Sequence, residues 1–88
     1  MIEKPNLKSH QYAVGQAALA TGNVLKTDKS PYLQNGEVYL IFDSKDEAEN
    51  YMKRTVEEHP AIECWMENSL GEHVMTIDKD GERKLKKS

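Results

Sequence analysis

The chain has 88 residues, one cysteine and a formal net charge of −3 at pH 7, which predicts a single domain over residues 1–88 with no internal disulfide and disfavours a nucleic-acid partner. No stretch approaches the roughly 20 apolar residues of a membrane span, and the first ten residues contain no apolar run typical of a signal peptide. We therefore expect a cytoplasmic protein with a modest core, because so short a chain buries about two-thirds of the surface that its unfolded form exposes.

The N-terminal part of the chain is predicted to be an irregular lead-in over residues 1–8, followed by a helix over about 10–20. Ser9 can cap the start of that helix, and Gly22 can end it in a left-handed conformation. Gly15 weakens the helix by about 1 kcal/mol relative to alanine. The predicted inward face is rich in alanine and comprises Tyr12, Ala13, Gln16, Ala17 and Ala20.

The middle of the chain contains a hairpin signal at Asn35-Gly36, because a type I′ turn needs two residues that tolerate positive φ. A strand is predicted over 37–42, where β-branched and aromatic residues are concentrated. Residues 31–34 are predicted to form a short partner strand, confined to a sheet edge by Pro31. The alternation places Val38, Leu40 and Phe42 on one face of the 37–42 strand, with Tyr39 and Ile41 on the other.

The clearest element is a helix over 45–58. Ser44 and Glu47 have the spacing of a capping box, in which each side chain satisfies an amide at the helix start. Pro60 ends the helix, because the residue before a proline avoids the helical region. An apolar stripe at helical spacing is formed by Ala48, Tyr51, Met52, Thr55 and Val56.

The C-terminal part is predicted to be a hairpin of strands 61–67 and 72–78, joined by a turn over 68–71. A further turn is indicated by Asp80-Gly81, and the basic residues 83–88 form either a short exposed strand or a frayed tail. In strand 61–67 the alternation places Ile62, Cys64 and Met66 on one face, and Glu63, Trp65 and Glu67 on the other.

These elements predict an α+β domain of two layers with the order α-β-α-β-β. The sheet is expected to be mostly antiparallel, with three to five strands and with the helices packed against it. The strand–helix–strand unit over 37–67 is expected to be a right-handed crossover.

Cys64 is the one candidate nucleophile, with His59 and His73 as candidate bases on either side of it in the sequence. A catalytic thiol needs a base within hydrogen-bonding reach and a lowered pKa. Cys64 alternates with apolar residues, however, so we expect it to lie in the core beneath helix 45–58. This pattern favours a non-enzymatic protein and leaves a small thiol- or histidine-dependent enzyme as the alternative.

Cofactor and metal motifs are lacking in the sequence. His59, Glu63, Cys64 and His73 do not have the spacing of a zinc site, and the turn around Asp80 lacks the ligands of a calcium loop. The five glycines are isolated and form no phosphate-binding loop. We therefore expect no cofactor and no metal ion, and the sequence identifies no small-molecule ligand.

Trp65 is the most informative side chain for function. On the predicted strand it lies between Glu63 and Glu67, opposite the cysteine face. One interpretation is that helix 10–20 covers this face of the sheet. The other is an exposed aromatic patch with an acidic rim, which is typical of a contact surface. The predicted partner-contact residues are Trp65, Tyr39, Ile41, Glu63 and Glu67.

The sequence therefore favours a protein–protein interaction module that acts as a homodimer or as an accessory, regulatory or inhibitory partner. Burial of the aromatic residues would supply affinity, and the glutamates would set the choice of partner. A weak nucleic-acid contact through the basic residues 83–87 is a further alternative.

Overall fold

The computed structural model describes residues 5–33 and 36–83. These residues form an α+β domain with six strands and one helix, which is consistent with the predicted class but not with the predicted order α-β-α-β-β. The elements are β1 (Tyr12–Ala18), β2 (Val24–Leu25), β3 (Leu40–Phe42), α1 (Lys45–Glu58), β4 (Ile62–Glu67), β5 (His73–Asp78) and β6 (Gly81–Arg83).

The six strands form one sheet in which every pair is antiparallel; the antiparallel pairing was predicted, but the number of strands exceeds the three to five expected. Its order is β2-β1-β4-β5-β6, and β3 also pairs with β1. β2 pairs with the C-terminal half of β1 and β3 with the N-terminal half, so both lie along the edge of β1 that faces away from β4. Because β3 and β4 are each antiparallel to β1, they run parallel to one another with β1 inserted between them. α1 connects these two strands.

The predicted helix over 10–20 is wrong, because this segment is the central strand β1. Its five middle residues are all buried, since β1 is paired along both edges and covered on both faces. A small-residue run containing Ala13, Gly15 and Ala17 fits a helical stripe and a two-residue alternation equally well, and tertiary pairing overrides its helix propensity. Gly22, expected to end a helix, has a φ of 76° in the turn between β1 and β2.

The predicted helix over 45–58 is confirmed as α1. The Ser44 hydroxyl caps it by accepting a hydrogen bond from the backbone amide of Glu47 at 3.1 Å. The helix ends at His59, whose amide donates to the carbonyl of Thr55, and Pro60 follows. Four residues of the predicted stripe are buried, namely Ala48, Met52, Thr55 and Val56, and the fifth, Tyr51, is partly buried against the core.

The segment before α1 differs from the prediction. β3 is shorter than the expected strand over 37–42, and it pairs with β1 instead of with residues 31–33. Pro31 instead forms an isolated bridge with Leu25. Gln34 and Asn35 lie outside the described residues, as do residues 84–88 of the predicted basic tail.

One face of the sheet packs against α1 and forms the hydrophobic core. Its buried members are Val14, Leu25, Ala48, Met52, Val56, Ile62, Cys64, Met66, Met75 and Ile77.

Gln16 is fully buried on the same face. Its amide donates to the carbonyl of Lys26 at 3.2 Å, and it accepts from the hydroxyl of Tyr51 at 3.2 Å. That hydroxyl in turn accepts from the Lys29 amine at 3.4 Å. The polar groups of Gln16 are thus satisfied inside the core.

Candidate functional site

The sheet face opposite α1, called here the second face, carries the aromatic residues predicted to make contacts. In β4 the core residues Cys64 and Met66 alternate with Trp65 and Glu67, so the latter two point away from α1. Within residues 5–33 and 36–83, α1 is the one helix, and it does not cover this face. The interpretation that a helix over 10–20 covers it is therefore wrong.

Trp65 lies across the central strand β1. It pairs in register with Gly15, and a Cβ atom at Gly15 would overlap ring atoms Cζ2, Cη2 and Cε2 of the indole. The ring thus occupies the space that any other residue at position 15 would fill. The sequence pattern did not indicate this contact, because it depends on the strand conformation of β1 and on the register between β1 and β4.

Glu67 binds the indole nitrogen, beside the ring edge that lies over Gly15. Its Oε2 atom accepts a hydrogen bond from Nε1 of Trp65 at 2.9 Å and another from the hydroxyl of Tyr39 at 3.1 Å. The rings of Tyr39 and Trp65 meet edge to face, with centroids 6.0 Å apart and an interplanar angle of 85°. This is one of the arrangements that aromatic pairs prefer. We call Tyr39, Trp65 and Glu67 the Trp65 cluster.

The environment of Tyr39 favours its neutral form. Burial raises the pKa of Tyr39 to about 12, and the negative charge of Glu67 and its hydrogen bond add to the rise. The phenol therefore remains a hydrogen-bond donor to the carboxylate over the whole physiological pH range. This keeps the three side chains of the Trp65 cluster in one arrangement.

The five predicted contact residues all lie on the second face. Ile41 pairs with Ala13 and Glu63 pairs with Ala17, which places both beside the Trp65 cluster. Ile41 is 42% exposed, and Trp65, Tyr39 and Glu63 are partly exposed. Glu67 differs from the expected exposed acidic rim. It is buried, because its carboxylate is enclosed by the two aromatic donors.

Cys64 lies on the other face, in the core beneath α1, as predicted. It is fully buried, and burial raises the pKa of its thiol to about 12, so almost no thiolate forms at neutral pH. His73 is exposed, and its Nε2 atom lies 2.8 Å from Oγ1 of Thr76. Because Thr76 pairs with Trp65, that imidazole is directed towards the second face. The thiol and this imidazole are therefore not brought together.

The other side chains considered for catalysis or metal binding are also not brought together. His59 is an exposed residue at the end of α1. Among the residues that the structure describes, there is no group of three or more histidine, cysteine, aspartate or glutamate side chains placed to hold a metal ion. The same residues include no helix with the length and apolar character needed to cross a membrane.

Comparison with known proteins gives no relative from which a role could be transferred. No protein-family model, curated protein or solved structure matches the chain. The functional argument therefore depends on the residues of the second face alone.

Proposed function

We propose that the protein is a non-enzymatic protein–protein interaction module that self-associates through the second face of its sheet. The observation that carries the proposal is the Trp65 cluster. It places a tryptophan and a tyrosine, two residue types common in binding hot spots, in a fixed and partly exposed arrangement on a sheet face that α1 leaves open.

The proposed contact surface has two aromatic residues at its centre and one apolar and one acidic residue at its sides. Trp65 and Tyr39 would be buried at the centre, where desolvated aromatic rings contribute most to affinity. Ile41 would extend the apolar area at one side. Glu63 at the other side would act mainly on specificity and association rate, as peripheral charges do.

A second copy of the chain is the favoured partner. Most soluble oligomers are homo-oligomers, and symmetric dimers are the commonest of these. A domain of 88 residues also has a modest core and gains stability by burying a further apolar face. The alternative is that this face binds a different protein, in an accessory, regulatory or inhibitory role. A chain that is strictly monomeric in solution would favour this alternative.

Sedimentation velocity over a range of protein concentrations tests the proposal. The wild type should show a concentration-dependent mass, and Trp65→Ala should weaken self-association by about 30-fold or more, the equivalent of the 2 kcal/mol expected of a hot-spot residue. Leu70→Ala is the matched control. Leu70 is 79% exposed in the turn between β4 and β5, outside the proposed surface, and its removal should leave association unchanged.

Ile41→Lys separates loss of contact from loss of folding. Ile41 is already 42% exposed, so the variant should fold like the wild type while placing a charge in the contact surface. Circular dichroism should show native structure, and sedimentation should show the monomer. A wild type that remains monomeric at all concentrations would contradict self-association.

A further inference from the structure

We infer that Gly15 is a positioning residue for Trp65. Because Gly15 has no side chain, it leaves a space on β1 that the indole of Trp65 occupies. We call this space the seat, and it fixes the orientation in which the indole is presented to a partner. The position of the ring follows from the structure alone, whereas its consequence for binding rests on the contact function proposed above.

The seat is a gap in the middle of a strand whose neighbouring residues are not glycine. Ala13 and Ala17 share the face of Gly15, and both are buried. The gap between their methyl groups is occupied by the Cζ2, Cη2 and Cε2 side of the indole. Gly15 is not among the residues with positive φ, so its backbone conformation does not require glycine. The requirement at this position is therefore steric.

The indole cannot move away from a new methyl group without losing a second contact. It is a rigid ring system positioned by two torsion angles, and its Nε1 atom donates to Glu67 at 2.9 Å. A rotation that relieves the overlap at position 15 also displaces Nε1. Because Nε1 is bonded to Cε2, Gly15 and Glu67 constrain the same edge of the ring and together fix a single orientation.

A fixed orientation matters for binding because an anchor that is ordered before association loses little conformational freedom on contact. With one side of the indole against β1 and Nε1 bonded to Glu67, the remaining ring surface is presented in one direction. The seat thus determines which part of Trp65 can meet a partner, and we expect it to affect affinity without itself touching the partner.

Gly15→Ala tests the seat, and Trp65 supplies the signal because it is the single tryptophan of the chain. Fluorescence emission should shift to longer wavelength as the ring becomes more exposed. In ¹H–¹⁵N NMR the indole N–H resonance should shift and exchange faster with solvent as its hydrogen bond to Glu67 is lost. Self-association, measured by sedimentation on the same sample, should weaken.

Trp65→Val provides the matched background, because it removes the ring that would meet the new methyl group. Gly15→Ala should lower the melting temperature of the wild type and leave that of the Trp65→Val protein unchanged or raised. If Gly15→Ala alone does not fold, the double variant should fold as well as Trp65→Val does. A double variant that remains unfolded would contradict the inference.

The possible failures are distinguishable. If Gly15→Ala keeps the emission and the indole resonance of the wild type, Gly15 is not the seat and the inference is wrong. If both signals move but the wild type is monomeric at every concentration, the positioning role stands and the proposed self-association is wrong.

Discussion

The two faces of the sheet bury their side chains in different ways. The face beneath α1 is covered by the helix, and Met52 of α1 and Cys64 and Met66 of β4 are fully buried between helix and sheet. The second face is covered by its own side chains, with the indole of Trp65 lying over Gly15 and bonded to Glu67. The face beneath α1 suits stabilisation of the fold, whereas the second face leaves aromatic groups ordered and still accessible. We therefore assign stability mainly to the first face, and the contact proposed above would use the second.

The largest difference between the faces should appear when apolar side chains are shortened. Met52→Ala removes a fully buried side chain between α1 and the sheet and should lower the free energy of unfolding by about 2–5 kcal/mol. Ile41→Ala removes a side chain that is 42% exposed on the second face and should cost about 1 kcal/mol or less. Denaturant unfolding of both variants measures the difference, and equal losses would contradict the assignment.

Two tyrosine hydroxyls provide a matched polar comparison. Tyr51→Phe removes the donor to the buried Oε1 of Gln16 and should cost about 1–3 kcal/mol, because it leaves a buried acceptor without that hydrogen bond. Tyr39→Phe should cost about 0.5–1.5 kcal/mol, because Glu67 keeps the hydrogen bond from Trp65. Urea titrations of the two variants test this order, which would be broken if Tyr39→Phe were the more destabilising change.

Alkaline pH should act on both faces through Cys64 and Tyr39. The pKa of each is raised to about 12 in the folded protein, from ordinary values of 9.0 for the thiol and 10.0 for the phenol. The unfolded chain therefore loses these protons first. The stabilising contribution is fully present below the ordinary values and is lost as pH rises towards 12.

Variants separate the two contributions to this pH dependence. The buried thiol should reduce the free energy of unfolding by up to about 1.4 kcal/mol per pH unit, and Cys64→Ala should remove that part of the slope. Tyr39→Phe should remove a smaller part, because the phenol is partly exposed and solvent screens it. Unfolding measured across this alkaline range checks the prediction, which fails if Cys64→Ala leaves the slope unchanged.

The sequence predicts α1 and the strands β4 and β5 well, because each combines a clear period with an explicit start or stop. Helix 45–58 has a capping serine at Ser44 and a terminating proline at Pro60, and the alternation around Cys64 and Trp65 has the period of a strand. The N-terminal segment has no such pattern to distinguish a strand from a helix. Its small residues fit both periods, and the pairing along both edges that makes it a strand comes from residues distant in the sequence.

The sequence predicted which face of the sheet carries Trp65 and Tyr39, but not the geometry around them. The alternation within strands separated Trp65 and Tyr39 from the core residues. The role of Glu67 as a shared acceptor, in place of an exposed rim charge, depends on the approach of Tyr39 from a different segment. The role of Gly15 depends on its register opposite Trp65, and no local pattern contains that information.

The most direct test of the central claim is quenching of the Trp65 fluorescence by acrylamide over a series of protein concentrations, with mass measured on the same samples. Because Trp65 is the one tryptophan, the signal reports on the second face alone. The account predicts that quenching decreases as the mass increases, since association buries the indole. An increase in mass with unchanged quenching, or the absence of any increase, would contradict the claim that the protein associates through this face.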